Sequence, residues 1–113
     1  MESFPSNAGD HPRDKEADAL LEGLLESLLN DFSHWFNRGE ELLAVCPDLV
    51  MPLEQRQAMA ARLAEGKKAI AATRALVDAS PQAMAVSMEA MAPWHQLVTE
   101  VWALAARISQ AAR

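Results

Sequence analysis

The first long helix predicted from this sequence has an apolar arc too wide to pack against a single neighbour. One stripe of apolar residues is spaced four, three, four, three and seven positions apart: Leu21, Leu25, Leu28, Phe32, Trp35 and Leu42. A second row, Leu29, Phe36 and Leu43, repeats every seven residues beside it, and Leu20 and Leu24 add to these two rows. Together they span about half of the helical wheel, whereas an ordinary amphipathic helix needs a stripe of ~100°. We therefore expect this helix to contact two others.

Two further helices are predicted downstream. The first helix should run from near Asp14 to about Val45 and end at Cys46-Pro47, because a proline disfavours helical geometry in the residue before it. The second should begin near Pro52 with a narrow stripe of Met59, Leu63, Gly66, Ile70, Thr73 and Val77. The third should run from Pro93, a residue suited to the first helical position, to about Gln110. Its apolar face comprises Trp94, Leu97, Val98, Val101, Ala105 and Ile108.

These elements predict an all-α protein, an antiparallel three-helix bundle with the first helix in the centre. The 113 residues are 50% hydrophobic but only 5% aromatic, which favours helices over strands. Residues 15–113 form the predicted bundle domain, and the polar residues 1–14 form a predicted disordered tail. Residues 82–92 are ambiguous, because their methionines fit either an extended segment or a helix face.

The charge is distributed unevenly. The net charge is −6, and residues 1–48 hold 11 acidic and 3 basic residues, against 5 and 7 in residues 49–113. The bases Arg56, Lys67 and Arg74 flank the apolar stripe of the second helix, so we expect them to contact the acidic first helix. An acidic chain also lacks the basic surface that nucleic-acid binding requires. We therefore expect no nucleic-acid partner.

Cysteine content and hydropathy indicate the compartment. Cys46 is the single cysteine, so no disulfide can form within the chain, and a reducing compartment is expected. No segment approaches the ~20 consecutive apolar residues of a membrane span. These features predict a cytoplasmic protein without a membrane span.

The sequence lacks the motifs of catalytic and metal sites. It contains no Gly-x-Ser-x-Gly motif, phosphate-binding glycine loop or His-Glu-x-x-His pair. Cys46 has no base beside it in the sequence, and Asp31 and His34 share a helical spacing but fall on the polar arc of the first helix. We therefore expect no enzymatic activity, no metal site and no cofactor.

The residues around the start of the third helix are the candidate binding site. Tryptophan is enriched at protein interfaces and methionine adapts to varied partners. The candidate partner-binding residues are Trp94, His95, Trp102, Met84, Met88 and Met91. The same residues could instead close the edge of the core, and this alternative stays open at the level of sequence. The excess apolar surface of the first helix could also be used in a homodimer.

The expected function is a non-enzymatic helical adaptor or regulatory protein that binds a protein partner. An alternative is a protein that binds a small ligand, such as a tetrapyrrole or pigment. In that case His95 would ligate the central metal, and the neighbouring tryptophans and methionines would form an apolar wall.

Two blocks of sequence resemble a known family. They are residues 24–36, LLESLLNDFSHWF, and residues 93–102, PWHQLVTEVW. These blocks resemble a small helical family found in cyanobacteria and catalogued as a domain of unknown function. The resemblance implies a cyanobacterial cytoplasmic protein with a role in photosynthetic physiology. It supplies no activity and no catalytic residue.

Overall fold

A computed structural model describes residues 12–79 and 88–112, and these residues form three helices. Helix α1 spans Pro12–Ala44, α2 spans Leu53–Ala79 and α3 spans Met88–Ala111. No strand occurs in the described residues. The predicted all-α class is confirmed.

Cross-helix contacts define the direction of each helix. Lys67 of α2 pairs with Glu40 of α1 at 2.8 Å, and Arg74 lies 3.0 Å from Glu26, so α1 and α2 are antiparallel. On the other side of α1, Phe32 contacts Trp94 and Trp35 contacts Trp102, so α1 and α3 run in the same direction. Helix α1 packs extensively on both neighbours, whereas α2 and α3 barely touch each other. The central position predicted for the first helix is therefore correct.

The connection between α1 and α2 is short and closed by hydrogen bonds. The Val50 amide donates to the Pro47 carbonyl at 3.0 Å. The guanidinium of Arg107, near the end of α3, donates to the Val50 carbonyl. The connection is therefore held by α3 as well as by the two helices that it joins.

The core is built from apolar residues of all three helices and the first connection. Its most deeply buried side chains are Phe36, Leu29, Leu63, Leu104 and Val101. Two glycines let the helices approach closely. A Cβ on Gly39 of α1 would lie 2.8 Å from Val101 Cγ2 and 3.1 Å from Leu63 Cδ1, so this glycine lies where the three helices meet. At Gly66 of α2, the neighbour that a Cβ would meet is the Phe36 ring.

Two predicted boundaries are wrong. Helix α1 begins at Pro12, so residues 12–14 belong to the helix and not to the predicted tail, and residues 1–11 lie outside the described part of the chain. Helix α3 begins at Met88 and not at Pro93, which occupies its second turn. A proline there removes one main-chain hydrogen bond and its ring crowds the carbonyl four residues earlier, but α3 buries side chains on both sides of it, Met91 before and Trp94 after. Within the ambiguous stretch, residues 88–92 are helical, and 82–87 lie outside the described residues.

Some of the predicted core of α1 is not buried. Leu20, Leu21 and Leu24 are exposed, and Leu28 and Trp35 are only partly buried. The apolar arc is as wide as predicted, but α2 and α3 cover only part of it. Conversely, Leu104 of α3 is fully buried although the sequence analysis did not assign it to the core.

The predicted pairing of basic and acidic residues is confirmed for Lys67 and Arg74 and wrong for Arg56. The Arg56 side chain pairs with Asp48 and also donates to the Met51 carbonyl at 3.0 Å. Arg56 lies in the first turn of α2, beside the connection, so its nearest acid belongs to that connection and not to α1.

Candidate functional site

An aromatic cluster joins α1 to α3. Phe32 of α1 is buried, and its ring lies edge-on to Trp94 at a centroid distance of 5.4 Å. The ring of His95 meets the same phenylalanine at 4.9 Å, also edge-on. Such edge-to-face pairs stabilise beyond the apolar area that they bury. Phe32 therefore fixes the positions of both rings at the start of α3.

A second set of rings lies one turn further along α1 and about two turns further along α3. Trp35 and Trp102 contact each other with centroids 5.7 Å apart and an interplanar angle of 87°. The ring of His34 also contacts Trp35, with a centroid distance of 4.9 Å. Trp35 is partly buried, whereas Trp102 remains 52% exposed. The Trp102 ring is thus held on one edge and accessible elsewhere.

Between these rings lies a concavity that we call the aromatic groove. It encloses about 180 Å³ and is lined by Leu28, Asp31, Phe32 and Trp35 of α1 and by His95, Val98 and Trp102 of α3. On each helix the lining residues are three or four positions apart, which places them on one face. The groove arises because the parallel register brings these two faces side by side.

The aromatic groove is mostly apolar. Asp31 is the acidic residue among its lining residues, and the main chain at His95 is stabilised by the Thr99 hydroxyl, which donates to the His95 carbonyl at 3.0 Å. No described side-chain nitrogen or oxygen is buried without a hydrogen-bond partner. The groove therefore offers apolar contact area with an acidic margin rather than a set of buried polar groups.

A larger concavity lies between α2 and α3. It encloses about 460 Å³ and is lined by Ala61, Arg62, Glu65, Gly66, Ala69, Pro93, Trp94 and Leu97. The small residues of α2 leave this space open. Near it, the Arg62 guanidinium donates two hydrogen bonds to Glu100, at 2.7 and 2.6 Å.

This ion pair shifts the pKa of both partners. The hydrogen bond from Arg62, followed by its charge, holds the pKa of Glu100 below its ordinary value, although burial opposes the shift. In turn, the hydrogen bond to Glu100 raises the pKa of Arg62. Both groups remain charged near neutral pH, and the pair links α2 to α3.

The structure separates the predicted partner-binding residues into two groups. His95 and Trp102 are exposed and line the aromatic groove. Met91 and Trp94 are only 2% and 8% exposed, because they occupy the α3 face that packs on α1. These two residues belong to the core, and Trp94 also lines the larger concavity between α2 and α3. Met88 begins α3, with its side chain outside the described part, and Met84 lies outside the described residues.

Sequence reasoning missed the α1 half of the groove. Leu28 and Trp35 were assigned to the core, and Asp31 was assigned to a solvated face. The sequence does contain a signal for this half of the groove. These residues lie at one edge of the broad apolar arc, and a neighbouring helix covers side chains at such an edge only partly. Which edge stays uncovered depends on the placement of α3, and the periodicity of α1 does not contain that information.

The described residues contain no group of three or more His, Cys, Asp or Glu side chains able to hold one metal ion. Asp31 and His34 are both exposed on α1. Cys46 is buried and free, and its thiol lies 3.5 Å from the Pro47 carbonyl. Across the described helices, no segment has the length and apolar character needed to cross a bilayer.

The chain matches the sequence model of a known domain family. Residues 15–110 match the model of DUF2605, a protein family of unknown function. The chain belongs to this family. The match covers all three helices, including the aromatic groove, and it bears out the expected membership of a domain family without an assigned function. No curated protein and no solved structure shows significant similarity to the chain.

Proposed function

We propose that this DUF2605 protein is a non-enzymatic helical adaptor or regulatory protein that binds a protein partner through the aromatic groove. The observation that carries the proposal is the state of Trp102, whose indole is 52% exposed while its edge packs on Trp35. A partly immobilised tryptophan loses little conformational entropy when a partner covers it. Tryptophans of this kind are frequent hot spots of protein interfaces.

The surroundings of Trp102 support the same function. His95 and Leu28 extend the contact surface on either side, and Asp31 lies at its margin. Burying apolar area contributes roughly 25 cal/mol per Å². An open, apolar and shallow surface of this kind suits a protein side chain or helix better than a polar metabolite.

The alternative function, binding of a tetrapyrrole or another small ligand through His95, has weaker geometric support. The groove beside His95 encloses about 180 Å³, whereas small-molecule sites span roughly 300–1,000 Å³. The larger concavity of about 460 Å³ lies on the other side of α3, and His95 is not among its lining residues. A haem titration that gives the same absorbance change with the wild type and with His95→Ala would remove this alternative.

The proposed location is the cytoplasm, and the proposed role in cyanobacterial photosynthetic physiology rests on the resemblance of the two sequence blocks alone. The single cysteine supports a reducing compartment, because Cys46 is kept as a buried free thiol.

The test is affinity capture from an extract of the source organism with three forms of the full chain: wild type, Trp102→Ala and Leu53→Ala. Leu53 is the matched control, because it is 58% exposed at the start of α2, away from the groove. We expect a protein that the wild type and Leu53→Ala retain and Trp102→Ala loses.

Circular dichroism checks that the helical content of Trp102→Ala is unchanged. If the two variants and the wild type retain the same proteins in the same amounts, the groove is not the binding surface. If Trp102→Ala unfolds the domain, this tryptophan is structural and the proposal is wrong.

A further inference from the structure

The amino-terminal turns of α1 carry a row of exposed leucines. Leu20, Leu21 and Leu24 are 69%, 49% and 64% exposed, and we call them the leucine strip. These leucines are exposed because of the register of α3 on α1. Because Phe32 lies beside Trp94 in the parallel pair, the first residue of α3, Met88, falls level with about residue 26 of α1. The leucine strip precedes that level and has no part of α3 beside it.

The leucine strip continues into the aromatic groove. Leu24, Leu28 and Trp35 follow one another at spacings of four and seven residues, so they lie along one side of α1. From Leu20 to Trp35 the helix rises about 22 Å, at 1.5 Å per residue. A straight apolar surface of this length, with contact points every three or four residues, is the surface against which an amphipathic helix packs.

The margins of this surface are acidic. Residues 15–31 hold five acidic residues and a single basic residue, Lys15. Glu26 is paired with Arg74 of α2. Glu16, Glu22 and Asp31 are exposed, and no basic side chain of the described residues pairs with them. A second copy of this chain would bring the same negative charge to the contact, which opposes self-association.

We infer that the leucine strip and the aromatic groove together bind one amphipathic helix whose apolar face is flanked by lysine or arginine. This inference rests on the proposed function and names the class of partner. The apolar face covers Leu20, Leu24 and Trp102, and the basic flanks face Glu16 and Asp31. Exposed charge pairs add little affinity, but they select the partner and speed its association.

The test is fluorescence anisotropy with two labelled helical peptides of about 18 residues, long enough to span the surface. One peptide has leucines at heptad spacing flanked by lysines, and the other has the same leucines flanked by glutamates. The proteins are the wild type, the double variant Leu20→Ser/Leu24→Ser and the control Leu53→Ser. All three leucines are more than half exposed, so the fold should be preserved.

We expect the lysine peptide to bind the wild type and Leu53→Ser equally and the double variant about tenfold or more weakly, because two leucine contacts are lost. We also expect the glutamate peptide to bind about tenfold or more weakly than the lysine peptide in low salt, and the difference to narrow in high salt. The inference is overturned if the two peptides bind the wild type equally in low salt. It is also overturned if the lysine peptide binds the wild type and the double variant equally.

Two further results separate this inference from the proposed function. If capture of a cellular partner depends on Trp102 but not on the leucine strip, the inference falls and the proposed function stands. If binding of the lysine peptide, measured also with Trp102→Ala, depends on the strip but not on Trp102, the groove is not part of the peptide's surface and the inference falls, while capture of a cellular partner still decides the proposed function. Sedimentation of the protein alone gives a further test. If the wild type is a dimer and the double variant is a monomer, the strip binds a second copy of the chain and the inference is overturned.

Discussion

Gly66 of α2 packs directly against the ring of Phe36 of α1: a Cβ built on this glycine would lie 2.5 Å from Phe36 Cε2. Phe36 is fully buried, so its ring has no solvent into which it can move. The distance between α1 and α2 is therefore set by the absence of a side chain at Gly66. Gly39, on the facing helix, has the same role toward Leu63 and Val101.

Gly66→Ala should destabilise the protein in spite of the higher helix propensity of alanine. The propensity gain is about 1 kcal/mol, whereas overpacking a core typically costs about 1–3 kcal/mol. We expect a net loss of up to about 2 kcal/mol in the free energy of unfolding, measured by urea denaturation. The matched control is Gly23→Ala, because nothing lies within 4 Å of a Cβ at that position. That variant should gain about 0.5–1 kcal/mol, and equal effects of the two substitutions would contradict the packing described above.

Leu29→Ala should cost about 2–5 kcal/mol of stability, because it creates a cavity at a fully buried position of α1. Leu20→Ala is the control on the same helix, since Leu20 is 69% exposed. It should change the free energy of unfolding by less than about 0.5 kcal/mol. Chemical denaturation of both variants measures the difference in their free energies of unfolding. Similar denaturation midpoints for the two variants would show that Leu29 is not buried more deeply than Leu20.

Glu100→Gln should reduce stability at neutral pH and have less effect in acid. The pKa of Glu100 is lower in the folded protein than its ordinary value of 4.5, so the carboxylate stabilises the fold above that pH. This contribution is lost as the pH falls through the lowered folded pKa. An exposed ion pair contributes roughly 0.2–1 kcal/mol, and the two-hydrogen-bond geometry favours the upper part of that range.

The measurement is the free energy of unfolding of the wild type and Glu100→Gln as a function of pH. The two curves should be separated near neutral pH and converge in acid. Arg62→Gln should give the same pattern, since it removes the other partner. A difference that stays constant across the whole range would show that Glu100 does not act through its charge.

The Cys46 thiol should react slowly with a thiol reagent such as Ellman's reagent in the folded protein. Cys46 is only 6% exposed and lies among core residues at the end of α1. Its modification therefore requires local or global opening of the bundle. The reaction rate in buffer should be far below that in denaturant, and a rate equal to that of the unfolded chain would show that this end of the bundle is open.

Much of the fold follows from local sequence. The spacing of Met59, Leu63, Gly66 and Ile70 predicts the buried face of α2, because side chains three and four residues apart share one side of a helix. Pro47 and Pro52 mark the connection between α1 and α2 for an equally local reason. The start of α3 was harder to predict, because a proline is best suited to a first helical turn, whereas Pro93 lies in the second turn of α3.

The candidate site was predictable only in part. His95 and Trp102 were identified at the border of the α3 face, and both line the groove. Their partners on α1 were not identified, because Leu28 and Trp35 share the apolar character of residues that are fully buried. Periodicity distinguishes apolar from polar faces, but it cannot tell which apolar residues a neighbouring helix will cover.

The sequence by itself determined three helices, their apolar faces and the central position of α1, since these depend on residue spacing and on the width of one apolar arc. The tertiary structure alone decided the register of α3 on α1, which sets Phe32 beside Trp94. That register leaves Leu20 and Leu24 uncovered and opens a groove at Trp102. Register depends on how the surfaces of different helices fit together, as at Gly39, where the absence of a side chain leaves room for Val101. Such contacts between residues distant in the chain leave no periodic signal in either helix.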